Sequence, residues 1–318
     1  MNTKAIVITA PEQFALCDVE LTEPGAGDVI VQTAYTSISA GTERMLLAGR
    51  MPHPMLRFPV VPGYETVGRV IGRGVNVPPE LEGQWVYVGG ARCYVDVNPA
   101  WGGQAATLIV DHTRVVPLGA VAPEQGVLLA LGATALHGVD LVAAPGLDLH
   151  EQRVLVLGQG PVGQIAARLA RARGAHVTVT DKVASRLARA QADVIVDASD
   201  PASAPTGPFD VIIEVTGGMA ALAAALPALA SNGTLLLLGY YDELRLPYMP
   251  LFLKQARLLT AKEWGPNDLV RVRDMIATGA LDIGGLITHR MPLAQIDDAY
   301  RVALGEPDCL KLVLDWSS

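Results

Sequence analysis

The chain has 318 residues, half of them hydrophobic and 18% charged, with a net charge of −8. This composition excludes a disordered chain, which combines low hydrophobicity with high charge, and an acidic chain has no global electrostatic reason to bind nucleic acid or an anionic membrane. The three cysteines, Cys17, Cys93 and Cys309, are too few and odd in number for a disulfide framework, and they cannot build a four-cysteine zinc site.

The chain opens on one lysine and a short β-branched run, which reads as a strand and not as a secretory leader. The most apolar region, residues 219–240, is broken by Pro227 and by Ser231-Asn232-Gly233. No apolar run approaches the roughly 20 residues of a spanning helix, so a cytoplasmic protein without an integral membrane segment is expected. Over the first 120 residues, segments 5–9, 28–36, 65–72, 84–88 and 107–110 have alternating or β-branched character, with glycine and proline between them. The block reads as β-rich and barrel-like, with no long helix. Residues 124–139 then show apolar helical spacing after a Pro-Glu start.

From Arg153 the pattern alternates. Strands are predicted at 154–157, 176–180, 194–196, 209–215 and 234–238, and helices at 163–173, 184–190 and 220–229. That is the signature of a doubly wound parallel sheet, an α/β Rossmann domain. Helices at 268–278 and 295–303 and strands at 287–290 and 310–314 complete the chain. The expected division is 131–263 for the nucleotide-binding domain and 1–130 with 264–318 for the other.

Arg153-Val-Leu-Val-Leu-Gly158-Gln-Gly160-Pro161-Val162-Gly163 reads as strand, glycine turn and helix start. Gly158 permits the tight turn, Gly160 admits a pyrophosphate, and Gly163 lets helix and strand pack closely, with the helix N-terminus facing phosphate charge. Asp181 ends the next strand 18 residues after Gly163. An acid there hydrogen-bonds the ribose hydroxyls of NAD and repels the extra phosphate of NADP, so NAD is the expected cofactor. Lys182 and Arg186 follow, either against the adenosine ribose or as a solvated helix start.

Gly63-Tyr64-Glu65-Thr66-Val67-Gly68, followed by Gly74 and Val77, resembles the signature of the medium-chain dehydrogenase/reductase superfamily. Ser39-Ala40-Gly41-Thr42-Glu43 is similar to that superfamily's Cys-Gly-Thr-Asp segment. The resemblance implies a GroES-like barrel domain beside the Rossmann domain. It places Ala40, Tyr64 and Ala130 where zinc-dependent members hold catalytic zinc, and the structural-zinc lobe is missing, so no metal site is expected. It also places Thr134, Thr216, Gly239 and Tyr240 in segments that meet the nicotinamide half. Residues 38–52, Pro62-Gly63-Tyr64-Glu65 and Gly239-Tyr240-Tyr241 resemble a narrower family, the bacteriochlorophyllide dehydrogenases. That resemblance implies oxidation of a 1-hydroxyethyl side chain on a large apolar tetrapyrrole, with NAD as hydride acceptor. A homodimer is expected by analogy with the superfamily.

Without zinc, proton handling falls to Thr42, Ser39 and Tyr64, each of which also fits a structural role. Glu65 is a further candidate, with a buried organising role the better reading. His112 and His137 read more readily as structural than as catalytic. Arg44, Arg50, Arg57 and Arg92 are candidates for a substrate carboxylate, and Met51, Tyr94 and Trp101 for the ring face. Two other functions stay open: a zinc-free quinone or enone reductase, and a non-catalytic nucleotide-binding protein.

Overall fold

A computed structural model describes residues 1–52, 56–143, 146–200 and 202–317. Contacts divide the chain into two units, Met1–Ala130 with Ile287–Ser318, and Leu131–Leu286. Residues 264–286, expected with the first unit, cluster with the second. The reason is local: Val272 fills the space over Gly132, and His137 lies against Gly265.

The first stretch carries β1 (Asn2–Ala10), β2 (Gln13–Glu20), β3 (Asp28–Ser37), helix α1 (Ala40–Leu47), β4 (Val60–Val61), β5 (Thr66–Arg73), β6 (Trp85–Val88), β7 (Asn98–Pro99), β8 (Thr107–Asp111) and β9 (Val115–Pro117). Next come α2 (Leu129–Ala143), β10 (Arg153–Leu157), α3 (Pro161–Ala172), β11 (His176–Asp181), α4 (Ala184–Leu187), β12 (Val194–Asp197), β13 (Phe209–Glu214), α5 (Met219–Ala225), β14 (Leu229–Leu237), α6 (Tyr248–Leu253), β15 (Arg257–Thr260) and α7 (Asp268–Ala277). The chain ends with β16 (Ile287–Pro292), α8 (Ile296–Gly305) and β17 (Lys311–Asp315).

In the first unit, β2-β1-β4-β7 form one sheet and β16-β17-β3-β5-β6-β9 another, with β8 added to β3. Their facing sides share one core, from Ala5, Val7 and Val19 to Val31, Val70, Val88 and Leu108. The short helix α1 and strands β2, β4, β7 and β9 are not in the sequence expectation. β2 is largely exposed along its length, so no buried alternation marks it.

The second unit is a six-stranded parallel sheet in the order β12-β11-β10-β13-β14-β15. Counted from β10, this is the 3-2-1-4-5-6 order of a doubly wound fold, whose strand order reverses between β10 and β13. The inner strands are buried apolar runs, as a sheet covered on both faces requires: Val154 to Leu157 and Val211 to Ile213 are at most 4% exposed. Helix α3 starts at Gly160 with Pro161 at its first position and buries Ile165, Ala166, Leu169 and Ala170.

Among the described residues, one stretch, Pro123–Ala143, is long and apolar enough by length and composition to cross a membrane, contrary to the sequence expectation. Of its 18-residue apolar window, 72% is buried within the fold, as in a core helix.

Candidate active site

The first unit gathers three hydroxyls. β3 ends at Ser37, and Ser39 caps the N-terminus of α1 with extended backbone, φ −84° and ψ 92°. A serine there ordinarily accepts a hydrogen bond from the first turn of its helix. Ser39 does not: its Oγ lies 2.6 Å from the phenol oxygen of Tyr64, and Thr42 Oγ1, one turn into α1, lies 3.2 Å from the same oxygen. Tyr64 stands in the link between β4 and β5. Gly63 before it has φ +94°, and a Cβ there would sit 2.4 Å from Gln104 Cγ, so glycine is required at that turn. The Tyr87 hydroxyl donates to the Tyr64 carbonyl at 2.6 Å, and the Trp101 ring tilts against the Tyr64 ring at 5.3 Å. Desolvation, together with the Glu65 charge, raises the Tyr64 pKa. The phenol therefore stays protonated at neutral pH and acts as a hydrogen-bond donor.

Glu65 does not join this cluster. Its carboxylate pairs with Lys311 Nζ of β17 at 2.5 Å, with both side chains almost fully buried, and Lys311 also donates to the Ile38 carbonyl at 3.3 Å. The organising role is the one its geometry fits, with a lysine as partner. Glu43, which the sequence reading did not single out, is also buried and accepts from the Ser39 amide at 3.1 Å and from the Tyr300 hydroxyl at 2.5 Å. An acid four residues after a helix-capping serine was the available signal.

The donors at the zinc places of the superfamily do not fit zinc. Ala40 and Ala130 offer no ligand atom, and the Tyr64 phenol is held by Ser39 and Thr42. Catalytic zinc needs three His, Cys or carboxylate ligands. Among the described residues, no group of three or more His, Cys, Asp or Glu side chains converges.

The second unit carries the nucleotide fingerprint at the carboxyl end of β10. Gly158 has φ +95°, and a Cβ there would press on Thr216 Cγ2 at 2.8 Å. A Cβ on Gly163 would lie 2.0 Å from the Gly158 carbonyl. A Cβ built on Gly160 would meet nothing within 4 Å beyond its chain neighbours, so the backbone between Gly158 and the α3 start, followed by Val162, is open where a pyrophosphate would lie. Asp181 ends β11 and accepts from the Gln159 amide at 2.6 Å and the Val183 amide at 2.9 Å, which fixes the acid beside the turn. Lys182 is exposed, and Arg186 lies half-buried in α4. Thr134 lies on α2 and is also half-buried.

At the end of β13, the fully buried Glu214 accepts from the Thr216 amide at 2.7 Å and from the Thr216 and Tyr241 hydroxyls. Gly239 packs against this carboxylate: a Cβ there would lie 2.6 Å from Glu214 Oε2. Glu214 thus ties the Thr216 loop to the Gly239-Tyr240-Tyr241 segment, with Tyr240 half exposed. Burial raises the pKa of Glu214. The sequence reading missed it because a carboxylate closing a strand looks like an ordinary solvated end.

The remaining candidates are placed as follows. His112 Nδ1 lies 2.9 Å from the Gly27 carbonyl, and His137 pairs with Asp268 at 3.3 Å. Arg44, Arg50, Arg57 and Arg92 are exposed, and Arg44 donates to the Leu304 carbonyl at 2.5 Å. Tyr94 and Met51 are core residues, each 8% exposed, with the Tyr94 hydroxyl on the Gly102 carbonyl. Trp101 alone of the three ring-face candidates remains half-buried beside Tyr64.

The fold and these two sites define a dehydrogenase with a nicotinamide-binding Rossmann unit and a GroES-like unit. Residues 25–120 match the alcohol dehydrogenase GroES-like domain, and residues 161–278 match the zinc-binding dehydrogenase family. The chain is 34% identical to the 2-desacetyl-2-hydroxyethyl bacteriochlorophyllide A dehydrogenase of Cereibacter sphaeroides and 35% identical to that of Rhodobacter capsulatus, covering 99% of this chain and of each relative. A solved structure of acetophenone reductase from Geotrichum candidum in complex with NAD superposes with a TM-score of 0.84 at 21% identity, over 99% of this chain and 97% of that one. That last likeness is one of fold. The chain belongs to the medium-chain dehydrogenase/reductase superfamily, and within it to the family of these bacteriochlorophyllide dehydrogenases. It is an oxidoreductase of the alcohol dehydrogenase type.

Proposed function

We propose that this enzyme oxidises the 3-(1-hydroxyethyl) group of bacteriochlorophyllide a to 3-acetyl with NAD and without catalytic zinc. The observation that carries the reading is the hydroxyl cluster of Ser39, Thr42 and Tyr64, with Tyr64 at one of the positions where the resemblance places a zinc ligand. The substrate class comes from the names of the two relatives.

Oxidation breaks the C–H bond with its electron pair and releases the hydroxyl proton. When bound, the nicotinamide supplies the hydride acceptor. Gly158, Gly160 and Gly163 would admit the pyrophosphate, and Asp181 the ribose hydroxyls. Asp181 supports NAD over NADP, because its charge repels the additional phosphate. Tyr64 donates a hydrogen bond to the substrate oxygen as negative charge develops there, and Ser39 and Thr42 pass the released proton to solvent. The reacting carbon adjoins a conjugated macrocycle, so charge at that carbon spreads into the ring and less alkoxide stabilisation is needed. Trp101 offers an indole face for the ring. Its backbone has φ +70°, a strained conformation of the kind found at binding sites.

The free edge of β15 beside exposed Tyr248, Phe252 and Leu253 supports a homodimer in which two such edges pair. Three free thiols and a nicotinamide cofactor fit the cytoplasm.

The test is incubation with 3-(1-hydroxyethyl) bacteriochlorophyllide a and either NAD or NADP. NADH and the shifted macrocycle absorption should rise together, with NAD preferred by at least about tenfold, as one well-placed charge contact allows. NAD binding without turnover of the pigment would overturn the substrate assignment. A preference for NADPH with reduction of a quinone or enone would favour a reductase. One zinc per chain, lost together with activity on chelation, would overturn the zinc-free mechanism.

A further inference from the structure

Glu43 is a buried carboxylate, 1% exposed, that the reaction above does not use. It lies one turn into α1 and reaches back to the helix start, where its Oε1 accepts the Ser39 amide at 3.1 Å. The contact is like the carboxylate half of a capping box, made from one position further along the helix and without the hydroxyl half. With its amide held there, Ser39 points its own hydroxyl at Tyr64 instead of capping the helix. The other carboxylate oxygen, Oε2, accepts the Tyr300 hydroxyl of α8 at 2.5 Å, and Gln104 Nε2 stands 3.5 Å from Oε1.

We propose that Glu43 is a positioning residue that holds the Ser39 hydroxyl on Tyr64 and couples the reacting hydroxyls to Tyr300. The proposal rests on reading that cluster as the proton-handling group. The physical link is the number of hydrogen bonds a carboxyl group can accept. Ionised, Glu43 accepts from both Ser39 and Tyr300; protonated on Oε2, it donates to the Tyr300 hydroxyl instead, and protonated on Oε1 it opposes the Ser39 amide. Burial pushes this carboxyl up to about 7, with the Glu65 charge adding to the rise and the Tyr300 and Ser39 hydrogen bonds and the Lys311 charge opposing it. A change in the protonation of this carboxyl near neutrality therefore reaches both Ser39 and Tyr300 through these two contacts.

The test uses the full chain labelled with 13C at the tyrosine Cζ, with Tyr64→Phe and Tyr300→Phe to assign the resonances. Between about pH 5 and about 9, a range bracketing that carboxyl, Tyr64 and Tyr300 should shift with a common midpoint, and Glu43→Gln should abolish both transitions. Tyr300→Phe, which removes an opposing hydrogen bond, should move the Tyr64 midpoint upward and serves if Glu43→Gln does not fold. A Tyr64 resonance that stays still while Tyr300 titrates overturns the coupling, as does a Tyr64 transition unchanged in both variants. Turnover by Glu43→Gln should fall about fivefold, well below the roughly 100-fold lower bound for a group that itself moves the proton, with the KM for NAD unchanged. A wild-type enzyme that oxidises no pigment but shows the coupled shifts would sink the proposed function and leave the coupling standing.

Discussion

At Tyr64, a single oxygen makes both of the contacts that bring the cluster together, one to Ser39 and one to Thr42. Removing it leaves two hydroxyls that no longer share a partner. Tyr64→Phe should slow turnover at least about tenfold, a floor set below the roughly 100-fold of a typical general acid–base contribution, while NAD affinity measured by fluorescence titration stays unchanged. Lys311 is a different kind of residue. It neutralises Glu65 where both side chains are buried, and taking away one partner strands the other charge out of water. Lys311→Met should destabilise by about 3–5 kcal/mol, and Lys311→Met with Glu65→Leu by much less. Urea denaturation of the two variants measures the difference. Ser39, Thr42 and Tyr64 were legible as candidates because each stands at a recognisable motif position. Tyr300 was not, because it reaches Glu43 across 257 residues of sequence, and no local pattern records such a contact.

Among the elements, the strand, turn and helix of β10 and α3 were readable because all their determinants lie within one contiguous stretch, Arg153 to Ala172. The three glycines do different work, and substitution separates them. Gly163→Ala drives a Cβ to 2.0 Å from the Gly158 carbonyl, so it should lower the melting temperature and abolish NAD binding together. Gly160→Ala meets nothing within 4 Å. It should leave the melting temperature within about 2 °C, the shift expected for well under 1 kcal/mol, and weaken NAD binding about tenfold. Calorimetry with and without NAD distinguishes the two. Helix α1 was less visible: eight residues of mixed character, Ala40 to Leu47, give too short a period to detect. Its importance comes from what it packs beside, since its first turn supplies Thr42 and Glu43.

For the whole molecule, the parallel sheet leaves β15 as an edge strand with Leu258 43% exposed. Unpaired strand edges invite pairing with another chain, and a two-fold axis would join two identical edges. Light scattering should give twice the chain mass for the wild type and a single chain for Leu258→Asp. An unchanged mass in that variant would place the contact elsewhere. By itself the sequence determined the features whose causes are local: hydrophobic periodicity, turn glycines, the acid closing β11, and the absence of zinc-ligating side chains at Ala40, Tyr64 and Ala130. Tertiary structure alone decided which buried charges meet. The C-terminal segment returns to the first unit and brings Lys311 to Glu65 and Tyr300 to Glu43. A buried charge needs a partner within a few ångströms, and which residue supplies it depends on the path of the whole chain.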